Sequence, residues 1–409
     1  MKSTFTRVAF LALFLLIFTG CKMYQSAPRP TIPLVEKIIN NAQSPEYQVL
    51  ARFDPQDTHG DIVILDSPER SLSLSERLVT CDDHDNVDGK PSQDMLPDFA
   101  GECITTVIDL VYTPYDRFLS ADNASALREI TVRSAVSALD TACCLGPFDH
   151  EKRSRKRAAK LLLLSSPYMA AYGAFDVDTL LRSTGAQVPV LSGPEVMLER
   201  VMDAHPGAVS IGVLTDSLTS VSGVYPLIFK ELCRKRGDVY STLFTFRVPD
   251  EASSDSLVLS AARLSSDLFK MILDQYSAAG KSSPLTALVI DDYSVSIDSL
   301  ARSYQGILNR PSEENAYYRK MLAKDFAFVD GARVVTDACY RYLRSHNLFT
   351  HNIAYPQAAA YITSPEAPGY MLMDFDINSL PAEMAGQIQR LYPETYRLYV
   401  PDQHHARGN

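Results

Sequence analysis

The chain has 409 residues with 39 Lys and Arg against 49 Asp and Glu, a formal charge of -10. Hydrophobic residues make up 46% and charged residues 22%, enough for a full apolar core and, at this length, about two to three domains. The acidic balance excludes nucleic acid as a partner, because binding a phosphate backbone needs a basic face.

Lys2 and Arg7 precede an apolar run from Val8 to Phe18. Its length is that of an export signal and too short to cross a bilayer. The run closes on Phe18-Thr19-Gly20-Cys21. This resembles the lipobox of bacterial lipoproteins, with Phe18 where that motif usually has Leu. The resemblance implies that residues 1–20 are removed and that Cys21 carries diacylglycerol and a fatty acyl (palmitate) chain. Lys22 and the lack of an early acidic residue then imply the outer membrane of a bacterial envelope. Residues 21–32 are polar and Pro-bearing and read as a tether.

The folded part opens with Asp61 to Leu65 as a strand. Asp66 to Glu102 has few periodic residues and many Asp, Ser and Pro, and reads as an insertion or elaborated loop. Strands are then expected at 104–112, 160–165, 188–191, 209–215, 239–248, 285–290, 326–329, 358–363 and 371–375. Helices are expected at 123–142, 176–183, 195–204, 225–236, 255–279, 297–308, 332–348 and 382–391. The segment 308–325 is assigned no strand or helix. Continuous apolar strands alternating with helices mean parallel sheets covered on both faces. The expected fold class is α/β, two doubly wound parallel-sheet lobes. The first lobe spans 33–192 and the second 193–377, with a C-terminal helix and tail at 378–409.

Six cysteines remain besides Cys21. Cys81 with Cys103 is the best disulfide candidate; buried free thiols are the equal alternative. The segment Asp82-Asp83-His84-Asp85-Asn86-Val87-Asp88-Gly89 clusters carboxylates that suit a hard cation such as Ca²⁺, with Asp82, Asp83, Asp85 and Asp88 as ligands. It departs from an EF-hand loop at its first position, His84, and its twelfth, Met95. A solvated acidic turn is the plainer reading. Lys152 to Arg157 is a basic run that faces either solvent or anionic lipid.

The order of elements around Lys160 to Ser166, Gln187-Val188-Pro189-Val190-Leu191, Glu195 to Ala204 and Ser210-Ile211-Gly212-Val213-Leu214-Thr215-Asp216 resembles a type I periplasmic binding protein. Leu285 to Asp292 looks like the strand before a ligand-facing turn in that family. The resemblance implies two lobes closing on a small polar ligand, with delivery to a transporter or other envelope partner. The aspartate/glutamate racemases are another two-lobe α/β group. Their pattern requires a thiol from each domain in a loop after a strand, whereas Cys143 and Cys233 fall late in expected helices.

Ligands of open α/β sheets sit beyond the carboxyl ends of the strands. There the chain places Asp66, Ser67, Tyr112, Thr113, Ser165, Ser166, Tyr168, Asp216, Ser217, Asp291, Asp292 and Tyr293. Asp and Ser at these points also serve as helix caps. The leading expectation is a lipid-anchored binding protein for a neutral polar solute, without a cofactor unless Ca²⁺ binds. The second is an enzyme using Asp66, Asp216 or Asp292 as acid or base, and the third a structural or interaction lipoprotein. No Gly-x-Ser-x-Gly or His-Glu-x-x-His motif is present.

Overall fold

The computed structural model describes residues 29–146, 149–248, 267–280, 283–350, 352–363 and 388–391. The export signal, Cys21, the expected strand 371–375 and part of the expected helix 255–279 lie outside these residues. Among the described residues no helix is long and apolar enough to cross a membrane.

Helices α1 (Pro33–Ile39) and α2 (Pro45–Ala51) come first. β1 (Asp61–Asp66) leads into α3 (Pro68–Thr80), and β2 (Cys103–Ile108) is followed by α4 (Asp116–Ser120) and α5 (Ala124–Leu139). The antiparallel strands β3 (Ala142–Gly146) and β4 (Asp149–Arg155) follow. β5 (Ala159–Leu164), a π-helical turn (Met169–Gly173), α6 (Ala174–Thr184), β6 (Val190–Ser192) and α7 (Gly193–Ala204) complete this half. Next come β7 (Ser210–Thr215), α8 (Ser217–Ser222), α9 (Val224–Arg236), β8 (Thr242–Arg247), α10 (Leu268–Ala278) and β9 (Leu285–Ile290). They are followed by α11 (Ile297–Asn309), α12 (Glu313–Lys320), β10 (Leu322–Asp330), α13 (Gly331–Ser345), β11 (Gln357–Thr363) and β12 (Ile388–Leu391).

Two sheets result. The first runs β4-β3-β12-β11-β2-β1-β5-β6, and the second runs β10-β9-β7-β8 with every neighbour parallel. β1, β2, β5, β7 and β9 are buried at every position, as largely apolar strands are when helices cover both faces of a sheet. The chain is thus a two-lobe parallel α/β protein. β11 and β12 pair in the first sheet, although both the 193–377 boundary and the C-terminal tail had assigned them elsewhere.

Several local expectations are corrected. Residues 68–80 form α3, started by Ser67 in extended conformation and by Pro at the first helical position, where its missing N–H costs nothing. Leu74 and Leu78, four apart, bury its inner face. The expected helix 123–142 ends at Leu139, and Cys143 lies in β3. Glu313–Lys320 is helical, capped by Ser312, in a segment to which no element was assigned. Ile388–Leu391 is a strand where a helix was expected.

Cys81 and Cys103 are free thiols, so the expected disulfide is not formed. Cys81 caps the carboxyl end of α3 with its Sγ toward the Leu78 carbonyl, while the Cys103 Sγ lies by Thr105 Oγ1. Burial pushes the Cys103 thiol up to about 11.

The lobes are joined by packing. One apolar cluster runs from Ile62, Leu161 and Leu163 of the first sheet to Ile211, Val213, Ala287 and Val289 of the second. It passes through Met197 of α7, Tyr225 of α9 and Val335 of α13. A second cluster, around Phe269, Leu288 and Phe326, fills the far face of the second sheet.

Candidate functional site

In each sheet the chain leaves a central strand in opposite directions. β1 lies between β2 and β5, and β7 lies between β8 and β9. Such switch points open a crevice beyond the strand ends. The two crevices are built alike. The Leu65 carbonyl accepts from the Ser165 and Ser166 N–H groups at 3.3 and 3.4 Å. The Leu214 carbonyl accepts from those of Asp291 and Asp292 at 2.8 and 3.0 Å. Asp66 ends β1 and Asp216 follows β7, each at the start of a helix.

Arg70, one turn into α3, joins them. Its Nε lies 3.4 Å from Asp66, its Nη2 3.3 Å from Asp216, and its Nη1 pairs with the Asp291 carboxylate. Nη1 also donates to the Asp291 carbonyl at 2.9 Å. The side chains of Arg70, Asp66 and Asp291 are 10%, 2% and 0% exposed, whereas that of Asp216 is 44% exposed. Thr215 Oγ1 donates to Asp291 at 2.9 Å, and the Tyr293 ring lies beneath the guanidinium at 5.7 Å.

Three carboxylates thus share one cation, Asp66 and Asp291 in a dry place and Asp216 from the solvent side. Burial pushes the Asp66 carboxyl up to about 6, although Arg70 and the Ser67 N–H pull it down. The Arg70 guanidinium is held well above its ordinary value: burial opposes this, but the Asp291 and Asp66 charges outweigh it. Ser165 Oγ and the Tyr225 and Tyr293 hydroxyls are buried here and complete no hydrogen bond in strict geometry. They still face the carboxylates: Ser165 favours the charged form of Asp66, and Asp291 raises the Tyr225 phenol, after burial itself.

Of the sequence candidates, Asp66, Ser165, Asp216, Asp291 and Tyr293 meet at Arg70. Ser67 donates its N–H to Asp66 at 2.6 Å. Ser217 opens α8, which Asp216 caps through the Thr219 N–H at 2.9 Å. Buried Tyr168 faces Thr219 and Ser222 of the second lobe, and Ser166 accepts from the Met169 N–H. Tyr112 and Thr113 belong to a different arrangement around Asp109. That carboxylate accepts from the Val111 and Tyr112 N–H groups, Thr363 Oγ1 and the Tyr115 hydroxyl. Asp292 accepts from the Ser294 N–H within its own turn.

Sequence reasoning missed Arg70, Tyr225 and Asp109. Ser67-Pro68 followed by Leu74 and Leu78 is a helix-start signal that would have found α3, and with it Arg70 one turn after Asp66.

The acidic segment spends its carboxylates internally. Asp82 accepts from the Asp94 and Met95 N–H groups, and Asp85 from those of Val87 and Asp88. Asp88 pairs with Lys90, and Asp83 with Arg77 and Arg333. Among the described residues no group of three or more His, Cys, Asp or Glu is placed to hold a metal, so calcium gains no support.

No protein-family model and no curated protein matches the chain. Solved structures do. Glutamate racemase from Francisella tularensis, in complex with D-glutamate, is 13% identical over 85% of this chain and 96% of that one, with a TM-score of 0.46. Glutamate racemase from Thermus thermophilus, in complex with beta-chloro-D-alanine, is 14% identical over 76% and 90%, at 0.45. An aspartate racemase homologue from Pyrococcus horikoshii is 11% identical over 70% and 99%, at 0.35.

The solute-binding reading is therefore corrected. Asp66, Asp216 and Asp291, expected to face a ligand, are turned onto Arg70 instead, and apolar packing joins the lobes. The lipoprotein, outer-membrane and palmitate expectations gain no support either; they rest on residues outside those described.

Proposed function

We propose that this chain is an enzyme that moves a proton at the interlobe cluster, with Asp66 as the acid–base group. The observation that carries this reading is the convergence on Arg70 of carboxylates from both switch points, with buried hydroxyls of Ser165, Tyr225 and Tyr293 turned toward them. A group that must both take and return a proton works best when it titrates near the working pH. Burial gives Asp66 that property, and Arg70 and Asp291 hold it in place. Asp216, the exposed partner, is the carboxylate that a substrate displaces at least cost. Among the described residues the six thiols stand elsewhere, in β2, β3, α9 and α13 and beyond α3.

The reading is tested by incubating the protein in D₂O with a panel of small acids, amines and sugars. The panel includes both enantiomers of glutamate and aspartate. C–H to C–D exchange is followed by NMR. Exchange into one class of compound, lost in Asp66→Asn, supports the proposal; a panel without exchange overturns it. We further propose, from residues 2–21 alone, that the chain is held in the cell envelope by lipid on Cys21. Release of Cys21→Ser from the membrane fraction is the expected result.

A further inference from the structure

We infer that the first lobe carries a docking surface for an anionic phospholipid bilayer, made by Arg153, Arg155 and Arg157 with Ile353 and Tyr355 beside Arg157. β4 is the outer strand of its sheet, paired only with β3 among the described residues. Side chains alternate along an extended chain. Arg153, Arg155 and Arg157 are all exposed, and Ser154 and Lys156 between them are half-buried. Lys156 is turned inward, its Nζ donating to the Ala138 and Arg157 carbonyls at 2.8 and 3.1 Å. Three guanidiniums therefore stand on one side of five residues, in a protein whose formal charge is -10. Two carboxylates face them: Asp140 lies 3.4 Å from Arg153 and Asp61 3.8 Å from Arg157. Arg153 also donates to Cys144 Sγ at 3.8 Å; with five N–H donors in each guanidinium, both arginines keep donors for a further anion.

A basic stripe alone suits any polyanion. The second observation chooses among them. Arg157 lines a depression of about 320 Å³ together with Gly101, Glu102, Gln357, Ile353 and Tyr355, the Glu102 carboxylate being paired with Lys160. Ile353 is 100% exposed and Tyr355 is 70% exposed. Cations that meet headgroup phosphates, next to an aliphatic and an aromatic side chain that enter the acyl boundary, are the two halves of an interfacial membrane site. The depression beside Arg157 is placed to receive a headgroup phosphate, which a guanidinium binds in a fork.

The chain contains no Trp, so Tyr355→Trp creates a single reporter in the intact protein. With vesicles containing phosphatidylglycerol its emission is expected to shift to the blue, and with phosphatidylcholine alone to stay unchanged. High salt, or Arg153→Gln with Arg155→Gln and Arg157→Gln, should raise the lipid needed for half the shift by about tenfold. The salt arm needs no further variant, so the outcome does not depend on the triple variant folding. Three outcomes overturn the proposal: equal shifts with both vesicle types, a shift insensitive to salt, or a shift produced by inorganic phosphate or polyglutamate but not by vesicles.

Discussion

Arg70, carried by the first lobe, reaches Asp216 of the second across 3.3 Å. The same guanidinium holds Asp291 of the second lobe and Asp66 of the first, so one side chain ties together the switch points of two sheets. Everything proposed about the chemistry depends on that junction.

Replacing Arg70 by Met would leave Asp66 and Asp291 buried without their counter-charge. Breaking a buried pair from one side costs roughly 3–5 kcal/mol. Arg70→Met is expected to lose about that much in urea denaturation, and hydrogen exchange should rise first in β7 and β9, whose ends the arginine grips. Arg70→Lys, which keeps the charge but not the fork, should fall between the two.

Asp66 makes stability pH-dependent in a defined direction. Its folded value is raised to about 6, from an ordinary carboxylate value near 3.8, chiefly by burial. Between those two values the folded state holds the proton and the unfolded state does not. Stability from this group is therefore fully present below the lower value and is lost as pH rises through the upper one. The span corresponds to roughly 3 kcal/mol. Asp66→Asn should flatten the stability profile across that window relative to the parent, as read by melting temperature in steps of pH. An unchanged slope would show that Asp66 is not the titrating group.

At the opposite end of the first sheet, Lys160 Nζ lies 2.6 Å from Glu102, both side chains 1% exposed, and donates to the Thr58 and Leu348 carbonyls. Lys160→Met alone is expected to cost about 3–5 kcal/mol, because it strands a buried carboxylate. Adding Glu102→Gln should return a large part of that loss. A double-mutant cycle in urea checks it: additive losses would mean the pair is not coupled.

Gly331 opens α13 where a Cβ would fall inside contact distance of the Ile290 carbonyl and Met197 Sδ. Gly331→Ala should therefore cost about 1–3 kcal/mol by overpacking the junction of β9, α7 and α13. Calorimetry of the two proteins at one pH measures it.

The two-lobe α/β architecture was legible because its central strands are apolar without a break, as in Ile62 to Leu65 and Leu161 to Leu164. Residues at the strand ends were legible for the same reason: a polar residue after such a run must lie at the rim of the sheet. The grouping around Arg70 was not, because it depends on how two lobes meet. Asp66 and Asp291 are 225 residues apart, and no local pattern sets their separation. β12 was misread because Ile388–Leu391 is a short run whose periodicity fits a helix as well as a strand, and pairing with β11 decides between them. Tyr112 and Thr113 were placed at the right end of β2, but the loop turns them onto Asp109 instead of the interlobe cluster.

Proton transfer by Asp66 is read from the rate of C–H to C–D exchange as a function of pH. For the parent protein and the compound it acts on, the expected rate rises to a plateau with a midpoint near 6, set by the carboxylate form of Asp66. Asp66→Asn is expected to lose about 10²- to 10⁴-fold at the plateau. A rate that survives in Asp66→Asn would contradict proton transfer by Asp66.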